Sequence, residues 1–99
     1  MINLTATEKE NFSIIEIEIE GGVATPNDLK EIVYPTISYE KGVIVSGRAP
    51  IWLVCTVVHQ YHPTAWVATF DPRLGGGVVC MTHSKDRSVG DIVPMDLGL

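Results

Sequence analysis

The chain has 99 residues, 45% of them hydrophobic, with a mean hydropathy of +0.21 and a net charge of −5. A single domain, residues 1–99, of this size and composition can bury a core without metal or disulfide staples, and its longest mainly apolar stretch, residues 49–58, is about half of what a membrane span needs. No basic segment precedes an apolar run near Met1, so a cytoplasmic protein without a membrane partner is expected.

In chain order, Ile2 to Thr5 offers a first strand, paired as a hairpin across a polar turn at residues 7–11. Ile15, Ile17 and Ile19 alternate with Glu16, Glu18 and Glu20, the period-two pattern of a half-buried strand, and Gly21-Gly22 ends it. Thr25-Pro26-Asn27-Asp28 supplies an N-cap, a proline at the first helical position and an acid in the first turn, which predicts a short helix ending before Pro35. Val43-Ile44-Val45 reads as a central strand buried on both faces. A second helix is predicted from Pro50 through about His62, with Ile51, Val54, Val57, Val58 and Tyr61 on one stripe and Pro63 as its stop. Residues 65–70 and 76–82 read as two strands joined by the Pro72-Arg73-Leu74-Gly75 turn.

The order ββ-α-β-α-ββ predicts an α+β fold: one antiparallel or mixed sheet of four to six strands with both helices packed on it, ferredoxin-like in the broad sense. A doubly wound parallel fold is disfavoured because the last turn is too short to join parallel strands.

All three histidines fall near an acid and a base: His59-Gln60-Tyr61-His62, then Asp71-Pro72-Arg73-Leu74-Gly75, then Thr82-His83-Ser84. Imidazole, carboxylate and guanidinium are the groups that move protons and stabilise a charged phosphoryl transition state. Charge is distributed unevenly, −6 over residues 1–40, +3 over 41–87 and −2 over 88–99, so this cluster occupies the net-positive part. Such a patch suits a compact anion better than a long duplex.

His59 and His62 have the spacing of one helix side, and with His83 or Asp71 they form a candidate set of nitrogen and oxygen metal ligands. Surface histidines at a helix end are the bland alternative, and an Asp-Pro turn initiator is the bland reading of Asp71. Ser46-Gly47-Arg48-Ala49-Pro50 leads from a buried strand into a helix N-terminus, where Ser46 and Arg48 add donors for an anion. It is equally an ordinary strand-to-helix connection. Trp52 and Trp66 could stack on bases, but each sits beside apolar stretches and core packing is the preferred reading, and Cys55 and Cys80 are read as two reduced core thiols.

Taken together, Ser46-Gly47-Arg48-Ala49-Pro50-Ile51-Trp52, His59-Gln60-Tyr61-His62, Asp71-Pro72-Arg73-Leu74-Gly75 and Thr82-His83-Ser84 resemble the CRISPR-associated ring nuclease family found beside type III systems. The resemblance covers most of residues 41–91 and extends more loosely over residues 11–20 and the first helix. Ala49 departs from the glycine expected there, and the chain is expected to lack the nucleotide-binding domain that some relatives carry fused behind this one.

The resemblance implies cleavage of cyclic tetra-adenylate to linear adenylates with 2′,3′-cyclic phosphate ends, by a homodimer whose subunits share the site. His62, Asp71 and Arg73 would carry the chemistry, with Ser46 and Arg48 binding ligand. Manganese is an implied cofactor, with His59 and His83 as its ligands alongside His62 or Asp71, although metal-independent cleavage remains open. Two alternatives accompany this reading: a manganese-dependent exoribonuclease acting on short single-stranded RNA with adenylate tails, and a module that binds the cyclic messenger without cutting it.

Overall fold

The structure, a computed structural model, describes residues 1–95, so Asp96 of the C-terminal acidic segment lies outside it. Six strands form one mixed sheet: β1 (Ile2–Glu8), β2 (Phe12–Ile19), β3 (Gly42–Ser46), β4 (Trp66–Asp71), β5 (Gly76–Thr82) and β6 (Ile92–Pro94). Their spatial order is their chain order, β1-β2-β3-β4-β5-β6. The hairpins β1/β2, β4/β5 and β5/β6 are antiparallel, whereas β2, β3 and β4 are mutually parallel.

Parallel neighbours need crossovers, and here both crossovers step the same way across the sheet. Right-handed connections of that kind reach the same face. Accordingly Leu29, Ile32 and Tyr34 from the first crossover pack in one cluster with Leu53, Val57 and Tyr61 of the second. Against them lie Ile2, Ile15, Ile17, Val43, Val45 and Val67 from the sheet. The opposite face holds its own cluster, Ile14, Ile44, Trp66, Ala68, Val79, Val93 and Met95, which draws on no helix. A doubly wound arrangement would place helices on both faces.

The predicted central strand is correct: β3 is third of six, and all five of its residues are buried. β1 is longer than expected, running to Glu8, and closes on β2 in the register Leu4 to Ile17 and Ala6 to Ile15. The 71–76 hairpin turn also forms, with Gly75 at φ 68°, where a side chain would be strained.

Four expectations change. The first helix is a 3₁₀ turn, Pro26–Glu31, rather than an α-helix. Its start works as predicted, with the Thr25 N–H donating to Asp28 Oδ2 at 2.8 Å, but six residues before β-branched Ile32 and Val33 are too few to propagate α-helical bonding. The second helix, α1 (Ile51–Gln60), ends two residues early, and Tyr61 takes the cap position. Its buried stripe is Leu53, Val57 and Tyr61; Ile51, placed on that stripe from sequence, is 82% exposed because it opens the helix about 120° round from Val57, at 100° per residue. β6 was not anticipated, and Cys55 and Cys80 are free and exposed rather than core thiols.

Tyr61 ties the two crossovers together. Its hydroxyl donates to the Pro35 carbonyl at 2.8 Å, its ring meets Tyr34 edge-on, and burial pushes its phenol up to about 12. On the other face the Trp66 ring lies over Gly42, filling the space that a side chain there would need. Gly42→Ala therefore forces Trp66 off its seat, with an expected loss of about 1–3 kcal/mol in denaturant unfolding; an unchanged midpoint would show that the ring is free to move aside.

Candidate functional site

The C-terminal ends of parallel strands are where open sheets of this type bind ligands, and here the ends of β3 and β4 lie side by side. Ser46 ends β3 as a buried residue, Gly47 turns the chain at φ 127°, and exposed Arg48 follows. A side chain at Gly47 would strike the Ile17 backbone on β2, so the turn is pressed against the sheet. α1 begins immediately afterwards with the peptide N–H groups of its first turn directed to the same end. Ser46, Gly47 and Arg48 line a cleft of about 330 Å³ with Phe70 and Pro72 from the end of β4.

At that end Asp71 and Arg73 form a closed pair. Asp71 Oδ1 accepts the Arg73 backbone N–H at 2.9 Å and Nε–H at 3.2 Å, while Oδ2 accepts from Nη2 at 3.0 Å. These side-chain and then backbone hydrogen bonds hold the Asp71 carboxyl below the usual carboxylate range. The Arg73 side chain is nonetheless 87% exposed, so the guanidinium is oriented yet open to a ligand.

The histidines occupy the other end. His62 follows α1 in the turn before β4, and His83 follows β5, whose last residues pair with the first of β4. The His83 backbone N–H donates to Ala65 O at 2.9 Å, and its Nε2 lies 3.2 Å from His62 O. The carbonyl can only accept, so Nε2 carries the proton there. The two rings meet edge-on at 4.9 Å, which fixes His62 against His83. His59 is exposed in the last turn of α1.

The structure thus gathers Ser46, Arg48, Asp71 and Arg73 at one end and His62, His83 and His59 towards the other. Six-residue β4 separates them, about 17 Å from Trp66 to Asp71 at the rise of an extended strand. One phosphodiester cannot meet His62 and Asp71 of a single copy. Nor do the residues fit a manganese site within one copy. Among the described residues no three of His, Cys, Asp and Glu stand close enough to hold a metal ion, His83 Nε2 is engaged, and Asp71 is taken up by Arg73.

Between the two ends runs an apolar groove of about 480 Å³ along α1, lined by Val54, Cys55, Val58, His59, His62 and β-sheet residues including Cys80. It exists because α1 leaves this face of β5 uncovered. A register shift at Val67/Ala68 makes Cys80 the unpaired residue of a bulge; although the residue is exposed, its Sγ donates to Val67 O, and the partial burial of that sulfur pushes its thiol up. Sequence reasoning missed this groove, since nothing in the pattern signals a bulge. It also missed Phe70 and Pro72, although alternation along residues 65–70 puts Phe70 on the Ser46 face.

Comparison with known proteins agrees with this assembly of motifs. A family model described as CRISPR-associated protein (Cas_csx3) matches residues 16–94, which includes every site residue named above. A protein of Aquifex aeolicus (strain VF5), described only as uncharacterized, is 41% identical over 88 residues, covering 85% of this chain and 78% of that protein.

The Asp71 and Arg73 pair carries a definite pH signature. A carboxyl lowered from its ordinary 3.8 favours the fold above that value, and the contribution is lost as pH falls through the lowered one. In a carbon-detected NMR titration Asp71 should therefore titrate below 3.8, and Arg73→Gln should raise its midpoint towards that value. A midpoint that ignores the substitution would mean the pair does not form in solution.

Proposed function

Because this chain belongs to the Csx3 family of CRISPR-associated proteins, we propose that it is a ring nuclease, cleaving cyclic tetra-adenylate at a site completed by a second copy of itself. The observation that carries the proposal is the division of groups between the two ends of β4. Donors and a cation for phosphate, Ser46, Arg48 and Arg73, stand at one end with a carboxylate; an imidazole fixed by its neighbour stands at the other.

Two copies with oppositely directed strands, or stacked head to tail, bring unlike ends together, which a two-fold axis across the strands achieves twice. Within the ring, a ribose 2′-oxygen attacks the adjacent phosphorus in line, forming the 2′,3′-cyclic phosphate and breaking the bond to the 5′-oxygen. The nucleophile loses a proton and the leaving oxygen gains one. Asp71, held ionised by Arg73, is suited to accept and not to donate. His62 then protonates the 5′-oxygen. Arg73 keeps N–H groups beyond those given to Asp71, and these meet the charge that develops on the phosphoryl oxygens. Ser46, Arg48 and the α1 N-terminus hold a phosphate of the ring.

The assay is single-turnover incubation with labelled cyclic tetra-adenylate, with products identified by mass. Linear adenylates ending in 2′,3′-cyclic phosphate are expected, and ring that survives long incubation points instead to a binding module. Cleavage by His62, Asp71 and Arg73 persists in excess EDTA; loss of activity there would return manganese to the reaction, with His59 and His83 as first candidates to hold it in an assembled site.

His62→Ala and Asp71→Ala should each lower the rate by about 10²–10⁴-fold. Mixed in equal amounts, they should recover up to about a quarter of wild-type turnover, because half of the randomly formed dimers contain one intact site of two. No recovery after confirmed subunit exchange would place both groups in the same copy.

A further inference from the structure

A second cleft of about 370 Å³ opens at the histidine end of the sheet, where the central strands β3 and β4 begin. Ala65 lines it, and the Ala65 carbonyl is the acceptor for the His83 backbone N–H; Ser84, next in the chain, lines it too. The cleft therefore adjoins the pair that fixes His62, yet nothing in the chemistry above uses it.

Its character is set by Arg87 and Trp66. The Arg87 guanidinium carbon lies 5.3 Å from the centre of the Trp66 ring, and among the described residues no carboxylate forms an ion pair with it. Trp66 is buried and seated over Gly42, so it is a fixed platform. A planar cation resting on that platform lines the cleft with the rest of its surface. Aromatic rings of ligands stack on guanidinium planes held in this way.

The surrounding charge decides which ligand enters. Glu10, Glu40 and Asp86 border the cleft. Its other cation, Lys41, is already engaged, 3.3 Å from Glu8 Oε2 and donating to Lys9 O at 2.8 Å. Three carboxylates against one uncommitted cation repel phosphate, and they are acceptors for N–H groups. A planar ring carrying an exocyclic amino group satisfies both conditions, stacking on Arg87 while its amine donates to a carboxylate. Asn11 and Ser84 supply further hydrogen-bonding groups.

We infer that the cleft between Trp66, Arg87 and Ser84 is a binding subsite for an amino-substituted purine base, which positions a nucleotide beside His62. The inference rests on the reading of the protein as an adenylate-cleaving enzyme, and it adds the place where a base, rather than a phosphate, is recognised. Arg87 is here a positioning residue with no part in proton transfer.

The test uses the Trp66 indole N–H resonance in the full-length Trp52→Phe variant, where it is the sole indole. Adenosine should shift this resonance, ribose 5-phosphate should not, and Arg87→Ala should abolish the shift. In single-turnover cleavage Arg87→Ala should raise the ring concentration giving half-maximal rate by about tenfold, with the saturated rate unchanged. Arg87→Tyr, which restores a stacking surface without charge, should recover most of that loss, whereas Arg87→Lys should not. A Trp66 resonance blind to adenosine, or a well-folded Arg87→Ala protein with wild-type concentration dependence, would overturn the subsite. Because adenosine binding is read without any cleavage, an inactive wild-type protein would refute the ring-nuclease reading separately.

Discussion

Three adjacent strands that run in the same direction govern this molecule. With β2, β3 and β4 parallel, each connection must travel back along the sheet, and both travel on the same side. That forces the 3₁₀ turn and α1 into one layer, where Tyr61 can bond across to Pro35. It also aligns the ends of β3 and β4, so two turns remote in sequence, at Gly47 and at Pro72, open onto a common cleft. The same travel carries the chain after α1 to the far end of the sheet, which is why His62 emerges away from Asp71.

Much of the fold could be read from residue pattern because the relevant forces are local. The alternation of Ile15, Ile17 and Ile19 with glutamates has one solution on a half-buried strand, and Val43 to Val45 has no polar face to show to water. Pro63 acts through its missing N–H and its ring, and Gly75 through its positive φ. What escaped was set by context. Ile51 and Leu53 are equally apolar but point to nearly opposite sides of α1, and only which side faces the sheet decides that Leu53 is buried and Ile51 is not. β6 is three residues with a proline, too short for periodicity to speak, and it holds its place by pairing with Gly76, Gly77 and Val78.

For the site, the sequence identified the chemical groups but not their partners in space. His62 and Asp71 are nine positions apart, close enough in sequence to suggest a single cluster. A fully extended strand occupies most of that interval and turns the small sequence separation into a large physical one. The pairings His62 with His83, and Ser46 with Phe70, depend on strand register, which is a property of the whole sheet. Arg87 gave no sequence signal because its meaning comes from Trp66, 21 residues earlier, and from the hairpin that folds back between them.

The closed geometry of Asp71 and Arg73 bears on the entropy of recognition. A free arginine has many rotamers to surrender when it grips a phosphate. Here a carboxylate two residues away, reached across a rigid proline, has already restricted the guanidinium while leaving it in open solvent. The ordering accompanies folding instead of ligand capture, and it does so without burying charge. A small exposed hairpin thereby offers the stiffness usually found in the interior of much larger proteins.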